Sequence, residues 1–225
     1  MSSQPLRVGI LGAARIAERA IVDPAHATGT RLVTVAARDR RRAEAFAAEH
    51  GVERATDSYA AVLADPEVEV VYNPLPNALH GPWNLAAVQA GKHVLSEKPF
   101  ASTAEEAVEV RDAAQKAGVT VVEAFHYLFH PVLQRLFALL DFVEPPKDDR
   151  LAVRCGTGET TEHLGTRSSY LYQLEAFIAA QRGGAPMPTG PDDAVATARL
   201  IDGCYRTSGL PLRPRTTLTG QEPNA

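Results

Sequence analysis

Long apolar runs are absent from this chain: nothing approaches the roughly 20 apolar residues that cross a bilayer. The opening MSSQPLRVGIL also lacks a charged segment followed by an apolar one. A soluble, unexported, cytoplasmic protein is the expectation. Cysteine is scarce, with Cys155 and Cys204 far apart and without metal-ligand spacing. That argues against a disulfide framework or a zinc site and fits a reducing compartment. A basic excess is missing too. The formal charge of -4 and the pI near 6.0 do not suit a nucleic-acid or anionic-membrane surface, and the one basic cluster, Arg38 to Arg42, is short. There are no internal repeats. At 225 residues the chain holds one large domain, or one domain and a fragment of another, since domains take about 100–150 residues.

What is present is an alternation of short apolar runs with Ala-rich helical patterns, which is how buried parallel strands and their crossover helices read. Strands are expected at Arg7–Leu11, Arg31–Ala37, Glu69–Tyr72, His93–Ser96 and Thr120–Glu123. Helices are expected at Ala14–Ile21, Arg40–His50, Tyr59–Ala64, Ala78–Ala90 and Thr103–Ala117. Gly51, Gly91 and Gly118 each follow a helix, where a left-handed residue ends it, and Asp65-Pro66 marks another stop. The fold class is therefore α/β, a doubly wound parallel sheet of the Rossmann type, with ligands at the carboxyl ends of the strands.

After Glu123 the regularity fails. Helical segments are expected at Val132–Leu140, Ser168–Gln181 and Asp192–Thr207, with one strand at Leu151–Cys155. DFVEPPKDDR reads as a turn or linker, GGAPMPTGP as a loop, and the tail beyond Pro214 as disordered. A lone strand has nothing to pair with unless it joins the first sheet.

VGILGAARIA places Gly12, Ala14 and Ala17 where a dinucleotide fingerprint has its three glycines, directly after a strand. Gly12 permits the tight turn, the second position lets backbone approach pyrophosphate, and the third lets helix pack on strand. Arg15 could add a cation near phosphate or be a solvated helix-start residue; Ile16 completes the candidate turn. At the end of the second strand the chain reads Ala36, Ala37, Arg38, Asp39, Arg40. A small residue followed by arginine suits the 2′-phosphate of NADP, while Asp39 keeps NAD open. The plain alternative is that Arg40 to Arg42 form the solvated face of a helix start.

Lys98 ends the His93–Ser96 strand region in SEKP. A lysine there can exchange a proton with a substrate hydroxyl or carbonyl as hydride moves, and Pro99 allows a cis bond. An exposed lysine before a turn is the bland alternative. His126 and His130, four apart, lack a third ligand and an adjacent glutamate for a metal.

EKP after GKHVL, preceded by PNALH and followed by EAFHYLFHP, resembles the Gfo/Idh/MocA family of NAD(P)-dependent oxidoreductases. GILGAARIA is similar to its NADP-dependent xylose and dihydrodiol dehydrogenase branch. The resemblance covers nearly all of residues 6–136 and, less distinctively, 164–214. It implies that Lys98 is the catalytic lysine, with Glu97 and Pro99 beside it, and that Pro76, Asn77 and His80 lie near nicotinamide and substrate. Asn77 is equally suited to cap the following helix, and His80 to pack within it. Leu128 stands where the family often has arginine, and His130 suits packing or the cleft edge.

The resemblance also implies a dinucleotide-binding domain over residues 1–125 and the remainder of a substrate and oligomerisation domain over 126–225. The family's DxGxY motif has no counterpart here. Asp202, Gly203, Cys204 and Tyr205 spell DGCY, but in a segment similar to the family's final helix. A central block of the second domain is therefore expected to be missing, which would weaken a homo-oligomer. Two readings follow: an NADP-dependent dehydrogenase of a sugar, polyol or diol, with NAD as alternative cofactor, or a dinucleotide-binding remnant without turnover.

Overall fold

The computed structural model describes residues 4–137, 150–155, 158–185 and 187–218. Six strands, β1 (Arg7–Leu11), β2 (Arg31–Ala36), β3 (Arg54–Thr56), β4 (Val70–Asn73), β5 (His93–Ser96) and β6 (Val121–Glu123), form one sheet in the order β3-β2-β1-β4-β5-β6. All five pairings are parallel. The order reverses beside β1, so the crevice at the carboxyl ends of β1 and β4 is where a doubly wound sheet takes a ligand.

Side chains alternate between two cores, as the strand period of two requires. Val70, Tyr72, Leu95 and Val122 face one side, and Val71, Val94 and Val121 the other. The register of β1 on β2 skips Val33, an irregularity of the bulge kind. Gly9 has no room for a side chain, because a Cβ would sit 2.5 Å from Val62 Cγ1.

The first core is covered by α4 (Tyr59–Ala64), α5 (His80–Gln89) and α6 (Ala104–Ala117), and the second by a helical run and α3 (Arg40–His50). That run is longer than the expected Ala14–Ile21. It comprises α1 (Arg15–Ala17), a π-helical turn (Glu18–Val22) and α2 (Asp23–Thr28). Pro24 does not stop it because it falls in the first turn of α2, where no amide is required of it. Asp39, Ser58 and Thr103 cap α3, α4 and α6 through their side chains.

The strand β3 was not foreseen: RAT is three residues long, partly exposed and without an apolar run. Beyond β6, a short 3₁₀ turn (His126–Phe129) leads to α7 (Pro131–Phe137); the rest of the expected Val132–Leu140 helix and the DFVEPPKDD linker lie outside the described residues. The strand β7 (Arg150–Cys155) is not alone. It pairs antiparallel with β8 (Gly158–His163) in a separate ribbon, which GETTEH did not announce because it is polar throughout.

Two further helices, α8 (Ser169–Gln181) and α9 (Pro191–Thr207), return to the first sheet. Leu174 and Phe177 of α8 enter the second core, while Ala194, Val195 and Ala198 of α9 enter the first. Buried Asp202 accepts from the Ala104 amide at 3.0 Å, so DGCY lies within α9 and ties it to α6. The expected disorder beyond Pro214 does not hold for its first residues. Arg215 pairs with Glu109, the Thr216 amide donates to Glu106 Oε1 at 3.1 Å, and Leu218 packs on the first core. Pro186 of the GGAPMPTGP loop and residues from 219 on lie outside the described part.

Candidate active site

β1 delivers Gly12 into a turn with φ of +104°, a conformation that glycine adopts without strain. Its amide donates to the Ala36 carbonyl at 2.7 Å, and a Cβ there would lie 3.2 Å from Leu75 Cδ2. Ala17 is fully buried against the sheet, whereas Ala14 faces a cavity. The amides of Arg15 and Ile16 belong to the first helical turn, which has no preceding turn to bond to. Arg15 itself is exposed, and Ile16 is 38% exposed.

The cavity measures about 820 Å³ and is walled by the Gly12–Ala14 turn, by Ala37 to Asp39 with Arg42, and by Pro74 to Pro76. Arg42 was overlooked as a site residue. The helical period carries it back over the fingerprint turn, where its Nη2 donates to the Ala13 carbonyl at 3.1 Å. Arg40, in contrast, pairs with Glu44 at 2.9 Å. One oxygen of Asp39 accepts from the Arg41 amide at 2.9 Å as the cap of α3, so this carboxylate has a structural use besides any contact with ribose.

One strand further along, β5 ends opposite β4 with Asn73 and Ser96 in register. A buried polar chain joins these ends. Asn73 Nδ2 donates to Asn84 Oδ1 at 2.8 Å, and Asn84 Nδ2 donates to Ser96 Oγ at 2.9 Å and to the Phe100 carbonyl at 3.1 Å. Such a chain orders a loop only when its members are satisfied. Asn73 and Asn84 were not singled out from the sequence; an asparagine closing VVYN and another inside an apolar helix face were the available signals.

Lys98 follows in a cis Lys98–Pro99 pair and is exposed. Among the described residues its ammonium has no hydrogen-bond or ion-pair partner. Glu97 is buried and accepts from the Tyr72 hydroxyl at 3.0 Å. Burial pushes its carboxyl pKa up, against the opposing effect of that bond. Glu123 is also buried: its Oε1 accepts from the Phe100 amide at 2.9 Å, while Oε2 has no partner among the described residues. Desolvation raises its pKa to about 7.

His80 sits deep, 1% exposed, between two loops. Its Nδ1 lies 2.7 Å from the Pro99 carbonyl and its Nε2 faces the Leu75 carbonyl. Burial pushes the imidazole pKa down. Both ring nitrogens thus face backbone carbonyls, of which a neutral ring donates to one, and the side chain braces the Lys98 loop against the cavity wall. Pro76 and Asn77 are exposed at the start of a 3₁₀ turn, and Asn77 caps nothing with its side chain. Glu97, Lys98 and His80 therefore cluster at the β5 end, while Gly12, Ala14, Arg38 and Pro76 meet around the cavity.

His126 and His130 diverge. His126 Nδ1 lies 2.7 Å from Ser169 Oγ, whereas His130 Nδ1 accepts from the Val132 amide at 3.3 Å.

A parallel doubly wound sheet with a glycine turn at its switch point defines a dinucleotide-binding α/β protein. The profile of the Gfo/Idh/MocA family, described as an oxidoreductase family with an NAD-binding Rossmann fold, matches residues 6–125, and the chain belongs to that family. D-xylose 1-dehydrogenase (NADP(+)) 2 of Haloferax volcanii is 44% identical over 132 residues, covering 59% of this chain and 41% of that protein. A 1,5-anhydro-D-fructose reductase of Ensifer adhaerens is 39% identical over 129 residues, covering 57% and 38%. The chain thus spans about two fifths of these relatives.

Among solved structures, a point variant of KijD10, a 3-ketoreductase from Actinomadura kijaniata in complex with TDP-benzene and NADP, is 35% identical over 61% of this chain and 44% of that one, with a TM-score of 0.58. A second structure of KijD10 aligns over 91% and 98% at 20% identity with a TM-score of 0.76, a likeness of fold alone.

The residues present fit a dinucleotide. A turn at Gly12 whose φ of +104° disfavours a side chain lets backbone come close to a pyrophosphate, and the cavity beside it has the size of a small-molecule site. Among the described residues no helix is long and apolar enough to cross a membrane.

Proposed function

We propose that this protein is an NADP(H)-dependent oxidoreductase acting on a sugar, polyol or diol, with Lys98 as its acid/base residue. The observation that carries this is the placement of Arg38 and Arg42 in the wall of the same cavity as the Gly12 turn. Guanidinium groups at the end of β2 give a 2′-phosphate the charge and fork geometry it needs. An NADP-named xylose dehydrogenase and an NADP-bound ketoreductase among the relatives support the choice.

When bound, the cofactor supplies hydride exchange at its nicotinamide ring. The chain's own part is then positional and protonic. Gly12, Ala14, Arg15 and Ile16 would present backbone to its pyrophosphate, Arg38 and Arg42 would hold its 2′-phosphate, and Pro76 and Asn77 would lie toward its nicotinamide end. Lys98 takes the hydroxyl proton in oxidation and returns it in reduction. Glu97 anchors its loop through Tyr72, and His80 braces that loop from behind. On this reading residues 1–125 form the nucleotide-binding unit, and 126–225 belong to the substrate unit.

A nucleotide-binding protein without turnover is the second reading, favoured by the absence of DxGxY from the sequence. Titration with NADPH and NADH, followed by assays with xylose, glucose and a diol, separates the two. Saturable NADPH binding with turnover supports the enzyme, and binding without turnover supports the second reading. Lys98→Ala should leave NADPH affinity within about threefold of wild type and lower the rate by about 10²–10⁴-fold; an unaltered rate would remove the lysine from the reaction.

A further inference from the structure

Neighbouring parallel strands project their carboxyl ends side by side, and here β5 and β6 do so with Ser96 opposite Glu123. The Ala124 amide donates to the Ser96 carbonyl at 2.8 Å, continuing the pairing one step past the strands. Two residues beyond Ser96 comes Lys98; three beyond Glu123 comes His126. Both therefore follow neighbouring strands at the carboxyl end of the sheet.

His126 is held there by contacts from a distant part of the chain. Its Nδ1 meets Ser169 Oγ at 2.7 Å, and its ring stacks on Tyr170 with centroids 3.8 Å apart and planes 29° from parallel. The α8 start thus fixes the imidazole plane, and between Nδ1 and the serine hydroxyl either atom can donate, according to the tautomer. In the tautomer whose Nδ1–H donates to the serine, Nε2 is the acceptor, and among the described residues it has no partner. A half-buried histidine with one nitrogen oriented and the other unengaged has the arrangement of a proton acceptor.

We propose that His126 is the proton-transfer partner of Lys98, a role that rests on the dehydrogenase reading above. In oxidation, the carbinol C–H bond breaks and its hydride passes to oxidised nicotinamide. The hydroxyl proton goes to the amine form of Lys98 as the C=O bond forms. Lys98 then yields that proton to His126 Nε2, and His126 releases it to water. Substrate and oxidised cofactor become carbonyl product, reduced cofactor and one proton. Reduction runs the same path backwards.

Tyr170 from α8 stacks on His126 and Tyr127 on its own turn has its ring centroid 6.0 Å away, while the Lys98 charge acts on the ring from the β5 end. Glu97 and Arg19 act in turn on Tyr170. Burial first, and the Lys98 charge second, push the His126 pKa down, so the ring rests neutral and holds a proton only in passing.

The test begins with the imidazole itself. A histidine NMR titration of the full chain, with the His126 signal assigned by its loss in His126→Asn, should show its midpoint move up by at least ~0.3 pH units in Lys98→Gln, as removal of a nearby charge requires. An unmoved midpoint overturns the pairing. In kinetics, His126→Asn and His126→Gln, each checked for an unchanged Tm, should lower kcat about 10–100-fold with KM within about twofold. They should also lose the acidic limb of the kcat pH profile, and added imidazole should restore rate to His126→Ala. Wild-type kcat and pH profile in both variants would overturn the relay alone, leaving the dehydrogenase reading intact. A wild-type protein that turns over no substrate, even with the midpoint moved in Lys98→Gln, overturns both.

Discussion

The six-stranded sheet and the β7–β8 ribbon are built on different principles. In β1, β4, β5 and β6 nearly every side chain is buried, because helices cover both faces. In β8, Thr160, Thr161 and His163 are exposed, and the ribbon is tied to α7 by the Arg135–Glu162 pair at 3.0 Å. The first sheet is a core in its own right, while a two-stranded ribbon is marginal without something to pack on. The helices that follow the ribbon, α8 and α9, belong energetically to the first sheet, since their apolar residues enter its two cores.

This contrast can be broken most forcefully at Phe177, which is fully buried under the first sheet although it lies far along the chain. Phe177→Ala should cost about 3–5 kcal/mol, read from urea unfolding. A loss below ~1 kcal/mol would detach α8 from that core. Next in size, Arg42→Ala should weaken NADPH binding about 10–100-fold with NADH affinity little changed, the difference expected of a lost charged hydrogen bond to the 2′-phosphate. Equal losses for both cofactors would make Arg42 a brace for the Gly12 turn.

Glu123, at the seam where β6 meets α9, carries a pH signature. Its folded-state pKa is raised from 4.5 to about 7 by burial. Its contribution to stability is therefore complete below about pH 4.5 and is lost as pH rises through about 7, because the unfolded chain ionises first. Relative to wild type, Glu123→Gln should gain on the order of 1–3 kcal/mol between those limits; parallel stability curves would show that the carboxyl does not titrate there. Smallest of all, Arg135→Gln should leave the unfolding midpoint unmoved, since exposed ion pairs contribute little. A clear shift would show the ribbon to be coupled to the rest.

Much of this was legible beforehand. The five long-signalled strands appear within a residue or so of where their apolar runs lie, and Gly51 and Gly118 end their helices with the left-handed φ of 69° and 67°. The strand β3 was missed for want of length and burial, and β8 for want of apolar residues. The site was half legible. Gly12 and Lys98 lie at strand ends that any reading of the periodicity would find, and the cavity does adjoin Gly12 and Arg38. For His80 the sequence leaves open a place near nicotinamide or a packing role, and the structure shows its two nitrogens facing backbone carbonyls.

By itself the sequence determined the alternation of strands and helices, the sharp turn at Gly12, the position of Lys98 and membership of an oxidoreductase family. Those properties are local: they follow from hydrophobic period, from backbone freedom at single residues and from short motifs. Only the tertiary structure decided that Arg42 reaches back to the fingerprint turn, that Asn73, Asn84 and Ser96 join neighbouring strand ends, and that Ser169 and Tyr170 orient His126 beside the Lys98 loop. Such contacts arise from strand register and from helices returning across more than 40 residues, and no periodicity in a linear sequence records which distant side chains the packed sheet will bring together.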